Sequence, residues 1–168
     1  MGEPPMFTRR LLLKTALKTG AAVLVYAQLG RPAAAATAFA VTHTEAEWRK
    51  LLTPEQFAVL READTERPGS SPLNKEHRRG TFSCAGCDLE NFSSSTKFES
   101  RTGWPSFYAP LAKAVATTED HSVGMDRTAV HCSRCGGHLG HVFDDGPKPT
   151  GLRYCMNGVA LKFTPLAA

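Results

Sequence analysis

The chain has 168 residues, and residues 41–168 suffice for one domain burying somewhat under ~70% of its unfolded surface. Its formal charge of +4 is not a property of that body: five of the 20 basic side chains and one of the 16 acidic ones fall in residues 1–40, leaving 15 of each beyond. A formally neutral body has no general attraction for a phosphate backbone, so nucleic acid is not expected as a partner.

The basic front end reads as a targeting segment over residues 1–40. Thr8-Arg9-Arg10-Leu11-Leu12-Leu13-Lys14 resembles the twin-arginine export signature. A mildly apolar stretch from Ala16 to Leu29 follows, and both Ala36-Thr37-Ala38 and Ala38-Phe39-Ala40 fit an A-x-A cleavage rule. The alternative is an uncleaved anchor, but Lys18, Thr19, Gly20 and Gln28 interrupt the run, which falls short of the ~20 apolar residues a spanning helix needs. Export to the bacterial periplasm is therefore expected, without stable membrane insertion once the segment is removed.

Residues 41–62 read as two helices. Thr44-Glu45-Ala46-Glu47 supplies a cap and an acidic first turn, with Trp48, Leu51 and Leu52 as the apolar face. Thr53-Pro54-Glu55-Gln56 offers a cap, a proline at the first helical position and a glutamine three after the cap, followed by Phe57, Val59 and Leu60. Asp64 to Lys75, with Arg67-Pro68-Gly69-Ser70-Ser71-Pro72 inside it, reads as a loop. From Gly80 the pattern turns to short strands: Gly80 to Ser83, Lys97 to Ser100, Ala114 to Thr118, Thr128 to His131, Gly140 to Phe143 and Gly158 to Phe163. The expected body is a small helical preface on an antiparallel β domain.

Four of the five cysteines fall as Cys84-x-x-Cys87 and Cys132-x-x-Cys135. Two such knuckles on separate hairpins assemble a tetrahedral four-cysteine zinc site, and the glycines beside them permit the tight turn. Four thiolates close the coordination shell, so the metal is expected to be structural. Disulfides are the competing use, particularly in an oxidising compartment. The twin-arginine route is known for carrying folded cargo, which allows the metal to be loaded first.

Cys155, in Arg153-Tyr154-Cys155-Met156-Asn157, is the thiol left over. An unpaired cysteine is commonly an inert small hydrophobe. Here Arg153 lies two residues before it, on the same face if this is a strand, where a cation favours thiolate. Asn157, two after, can present its amide to the same pocket. His138 and His141, close upstream, are imidazoles able to move protons near neutral pH, or a structural pair beside the knuckle. In Gly103-Trp104-Pro105-Ser106-Phe107-Tyr108 the bland reading is a turn with core aromatics. Phe107 suits it, though its place in the motif also makes it a candidate for the substrate wall. Trp104, held between Gly103 and Pro105, can line a pocket for a thioether-like methyl group.

Together these segments closely resemble the methionine-R-sulfoxide reductases of the B type. The likeness rests on Lys97-Phe98-Glu99-Ser100 with Gly103 to Phe107, on both knuckles, and on the run from Gly137-His138-Leu139-Gly140-His141 through Arg153-Tyr154-Cys155-Met156-Asn157. It covers roughly residues 45–165. It implies two antiparallel sheets in a β-sandwich-like domain with a few peripheral N-terminal helices. It implies Cys155 as nucleophile, His141, Asn157 and His138 as polar active-site groups, and Trp104 as the methyl-binding wall. Attack of Cys155 on the sulfoxide sulfur of an oxidised protein or peptide would leave a sulfenic acid.

The sequence departs from part of that family. Many members carry a second, resolving cysteine just before Gly-Trp-Pro-Ser-Phe, and here that place is Arg101-Thr102. Reduction by an external thiol, such as a thioredoxin-like protein, is therefore expected. Gly158 stands where members commonly carry a small polar residue. Two rival readings are a zinc-ribbon binding module, which leaves Cys155 and the histidines unused, and a thiol–disulfide oxidoreductase, which needs a Cys-x-x-Cys free of metal. Nothing in the sequence points to an oligomer, so a monomer is expected.

Overall fold

Two threonine caps start the fold. In the computed structural model, which describes residues 39–167, α1 spans Glu45–Leu51 and α2 spans Pro54–Glu62. Thr44 Oγ1 accepts the Glu47 N–H while the Glu47 carboxylate accepts the Thr44 N–H. Thr53 and Gln56 repeat the exchange for α2. Each reciprocal box satisfies two backbone donors that a helix start would otherwise leave unpaired. Trp48, Leu52, Phe57, Val59 and Leu60 are buried, as expected. Leu51, expected beside them, is 60% exposed. The helix ends at Leu51, and extended backbone at Leu52 turns only the later side chain inward. The expected targeting segment lies, up to residue 38, outside the described residues.

Among the described residues, nine strands build two antiparallel sheets. β1 (Gly80–Cys84) sits between β2 (Glu90–Ser93) and β9 (Leu161–Pro165) in a three-stranded sheet. The six-stranded sheet runs β3 (Lys97–Phe98), β4 (Ser106–Phe107), β8 (Arg153–Met156), β7 (His138–Phe143), β6 (Arg127–Cys132), β5 (Val115–Asp120). β2, β4 and β8 have no counterpart among the expected strands, although an extended Arg153 to Cys155 is the condition for their shared face. The strand expected from Gly158 starts only at Leu161, because Gly158–Ala160 forms a 3-10 turn. The strand expected from Gly140 begins earlier, at His138.

The core lies between the sheets. Phe92 stacks on Phe107 with ring centroids 4.4 Å apart, and Phe82 meets Phe107 edge-on at 5.0 Å. Phe107 is 0% exposed, so it is a core ring and not part of a substrate wall. The register gives the reason. Phe107 pairs with Tyr154 on the inward face, while Ser106 pairs with Cys155 on the opposite one. Burying such a ring contributes about 1.5–3 kcal/mol, to which a well-placed aromatic pair adds about 0.5–1.5 kcal/mol.

Candidate active site and metal centre

The two knuckles occupy the turns that close two hairpins, β1–β2 in the small sheet and β6–β7 in the large one. The ligand atoms of Cys84, Cys87, Cys132 and Cys135 all lie within 4.8 Å of one another. Cys84 Sγ is 3.7 Å from Cys135 Sγ, and Cys87 Sγ is 3.5 Å from Cys132 Sγ. Sulfurs about 2.3 Å from a tetrahedral zinc would stand about 3.8 Å apart, whereas a disulfide needs about 2.05 Å. Contact with Cys135 pulls the Cys132 sulfur down, and contact with Cys132 pushes Cys84 and Cys135 up. Four thiolates this close require a cation, so the donor set fits a metal. Arg61 braces the centre from α2: it donates to the Cys135 carbonyl at 3.0 Å and lies over the Trp48 ring.

Cys155 stands apart from that cluster, on β8, half-buried. Its register partners are Ser106 on β4 and His141 on β7, so all three side chains rise from one face of the sheet. Arg153 shares the face, as its spacing predicted. Its guanidinium makes two 2.8 Å bonds to the Asp145 carboxylate and lies over Phe143. Asp145 first, and Cys155 to a lesser extent, raise the Arg153 pKa. Gly140 permits the close passage of β7 along β8, because a Cβ there would run into the Cys155 carbonyl oxygen.

His141 has a partner the sequence did not reveal. Its Nε2 lies 2.7 Å from Asp120 Oδ2 at the end of β5, and Arg127 donates to the same oxygen at 2.7 Å. Hydrogen bonds from Ser122, then the contact with His141, hold the Asp120 carboxyl well below the usual carboxylate range. His138 is 4% exposed, its ring edge-on to His141 at 5.2 Å and to His131 at 5.5 Å. Burial pulls its pKa down to about 4, so the ring is neutral at pH 7.

Asn157 is brought near, but not as expected. It follows the end of β8, is 3% exposed, and its side-chain amide is engaged at both ends by backbone. Oδ1 accepts the Glu66 N–H at 3.0 Å and Nδ2 donates to the Leu139 carbonyl at 3.2 Å. Asn157 therefore supports the site from beneath and does not open its amide to the pocket. Glu66, in the loop after α2, is with Asp120 a residue that sequence reasoning missed. Its carbonyl accepts the Trp104 indole N–H at 3.1 Å, and its carboxylate accepts the Gly158 and Val159 amides at 2.6 and 2.9 Å. That grip makes the 3-10 turn in place of the expected strand. Gly158 itself leaves room for Ser71, whose hydroxyl a Cβ at Gly158 would strike.

Beside Cys155, on its other flank, Thr102 Oγ1 lies 3.7 Å from the sulfur. Two antiparallel sheets are thus joined by a four-cysteine centre, with a fifth cysteine flanked by histidine and hydroxyl on one sheet face. The SelR domain family matches residues 52–165. Proteins called peptide methionine sulfoxide reductase MsrB are similar over most of their length. That of Methanosarcina barkeri is 57% identical over 125 residues, 74% of this chain and 88% of its own. Those of Leptospira interrogans and Pseudomonas putida are 52% and 55% identical over 126 residues, 74% of this chain and 96% and 95% of theirs. The chain belongs to this family, that of the MsrB peptide methionine sulfoxide reductases.

Proposed function

We propose that the chain reduces the R epimer of methionine sulfoxide, mainly in oxidised proteins and peptides, with Cys155 as nucleophile and an external thiol as reductant. The observation that carries this reading is the row Ser106–Cys155–His141 on the outer face, with the other four cysteines gathered in a separate cluster. The Cys155 sulfur attacks the sulfoxide sulfur, and the oxygen passes to Cys155 as it is protonated. The products are methionine and a Cys155 sulfenic acid. Two equivalents of thiol then return the cysteine, giving a disulfide and water.

His141 is the proton donor. As an imidazolium it donates from both nitrogens, Nε2–H to the Asp120 carboxylate and Nδ1–H to the substrate oxygen. Trp104, held by Glu66, walls the methyl group, and Arg153 faces the rest of the substrate. The four clustered cysteines hold a structural zinc ion, which supplies cross-linking and no redox chemistry. The likeness of the leader to a twin-arginine signal supports export to the periplasm, where a thioredoxin-like protein would serve as reductant.

A peptide carrying both methionine sulfoxide epimers, with dithiothreitol as reductant, tests the reading. Only the R epimer should be consumed; loss of the S epimer, or of neither, overturns it. Asp120→Asn should lower kcat about 100-fold, because a neutral amide no longer stabilises the imidazolium that donates. It should lower the melting temperature as well, because Arg127 loses its carboxylate partner. Unchanged kcat would remove His141 from the proton transfer.

A further inference from the structure

A continuous line of hydroxyls reaches from the Cys155 sulfur into the protein. Thr102 Oγ1 lies 3.7 Å from Cys155 Sγ, Ser100 Oγ lies 2.8 Å from Thr102 Oγ1, and Ser106 Oγ lies 2.7 Å from Ser100 Oγ. The line ends where the Ser106 hydroxyl donates to the Trp104 carbonyl at 3.1 Å. Each hydroxyl carries one hydrogen, so with the Ser106 hydrogen on that carbonyl every other direction follows. The Trp104 carbonyl can only accept, so Ser106 spends its hydrogen there. Ser100 must then donate to Ser106, and Thr102 to Ser100. The Thr102 oxygen is left facing Cys155 with a lone pair, which suits the S–H of a neutral thiol and not a thiolate.

We propose that Thr102 is a further catalytic residue, and that its hydroxyl chain reverses when Cys155 loses its proton. In the reversed arrangement Thr102 donates to the thiolate, Ser100 to Thr102 and Ser106 to Ser100. The Trp104 carbonyl gives up one bond, and the weak S–H donation to Thr102 goes with the proton. A hydrogen bond to an ionised acceptor is roughly twice as strong as a neutral one, so the exchange favours the thiolate. Ser106 is fully buried, and bonds in such a chain polarise one another in a low local dielectric. This proposal rests on the reading of Cys155 as the nucleophile. It gives position 102 a task that does not need a second cysteine.

Other groups act on Cys155 as well. His141, backed by Asp120, faces it from β7, and Arg153, paired with Asp145, shares β8. From the Thr102 side come Glu99 and Arg101, both exposed, with the Glu99 carboxylate accepting the Arg101 N–H. None of these is altered by a change at Thr102, so a conservative series isolates the hydroxyl.

The test is the pH dependence of Cys155 alkylation by iodoacetamide in the metal-loaded protein, with Cys155→Ser as the blank. Thr102→Val should move the midpoint of the profile upward by about one pH unit, slowing alkylation at pH 7 about tenfold. Thr102→Ser should stay within about twofold of the parent, and Ser100→Ala should fall between the two, about threefold slower. Melting curves of each variant establish folding. A folded Thr102→Val with the parent profile overturns the proposal, as does a Thr102→Ser as slow as Thr102→Val. Turnover separates this from the broader reading. An inactive Cys155→Ser beside a Thr102→Val of parent profile removes only the chain, whereas an active Cys155→Ser removes both.

Discussion

Replacing Cys155 with serine should abolish turnover of methionine sulfoxide peptides, by at least about 10⁴-fold in kcat, while metal content stays the same. The size of the effect follows from the chemistry. Serine offers a far weaker nucleophile at neutral pH, and its oxygen cannot accept the sulfoxide oxygen to form a stable product. No other cysteine can substitute, because the remaining four are gathered in the cluster. The fold should be indifferent. Cys155 is half-buried on an outer sheet face, and the exchange removes only one long contact with Thr102. The melting temperature should move by no more than about 2 °C, within the range of surface substitutions. Activity above about 1% of the parent value would sink the nucleophile assignment.

Depriving the four-cysteine cluster of the metal its donor set fits should have the largest effect on stability. The cluster joins the β1–β2 turn to the β6–β7 turn, and so one sheet to the other. Stripping it leaves four sulfurs within 4.8 Å, of which two are fully buried, with no cation to balance ionised thiolates. A chelator, or Cys132→Ala, should lower the melting temperature by about 15 °C or more, corresponding to several kcal/mol for a domain of this size. Both interventions should also abolish bound zinc in a one-to-one titration. The domain has an aromatic core independent of the cluster, so some residual folding is expected, unlike the complete collapse of an isolated zinc finger. A melting curve unchanged by chelation, with no zinc in the purified protein, would return the four cysteines to disulfide chemistry.

Much of this site was legible because its signals are short. A capping box spans four residues and a metal knuckle four, so Thr44, Thr53 and the four clustered cysteines could be read without any fold. The alternation that places Arg153 and Cys155 on one face is equally local. The errors began where a side chain's role depends on a partner far along the chain. Asp120 and His141 are 21 residues apart and meet only because β6 lies between their strands. Glu66 reaches Gly158 across 92 residues, and no composition signal marks it. Phe107 and Asn157 show a subtler failure. Each neighbours a site residue in sequence, but strand alternation turns Phe107 to the core, and the end of β8 carries Asn157 beneath the sheet. Adjacency in the chain does not carry over to adjacency on a face, and the core reading of Phe107 is the one that holds.

The grip of Glu66 has a consequence for how this site breathes. One residue holds the Trp104 indole through its carbonyl, the turn after β8 through its carboxylate, and the Asn157 side chain through its amide. These three attachments come from separate segments, yet none can be released by moving the loop without disturbing the others. Solvent exchange at the Gly158 and Val159 amides and at the Trp104 indole should therefore share one opening free energy. Trp104 and the turn beneath Cys155 thus form a single cooperative unit, tied together by a loop outside both sheets.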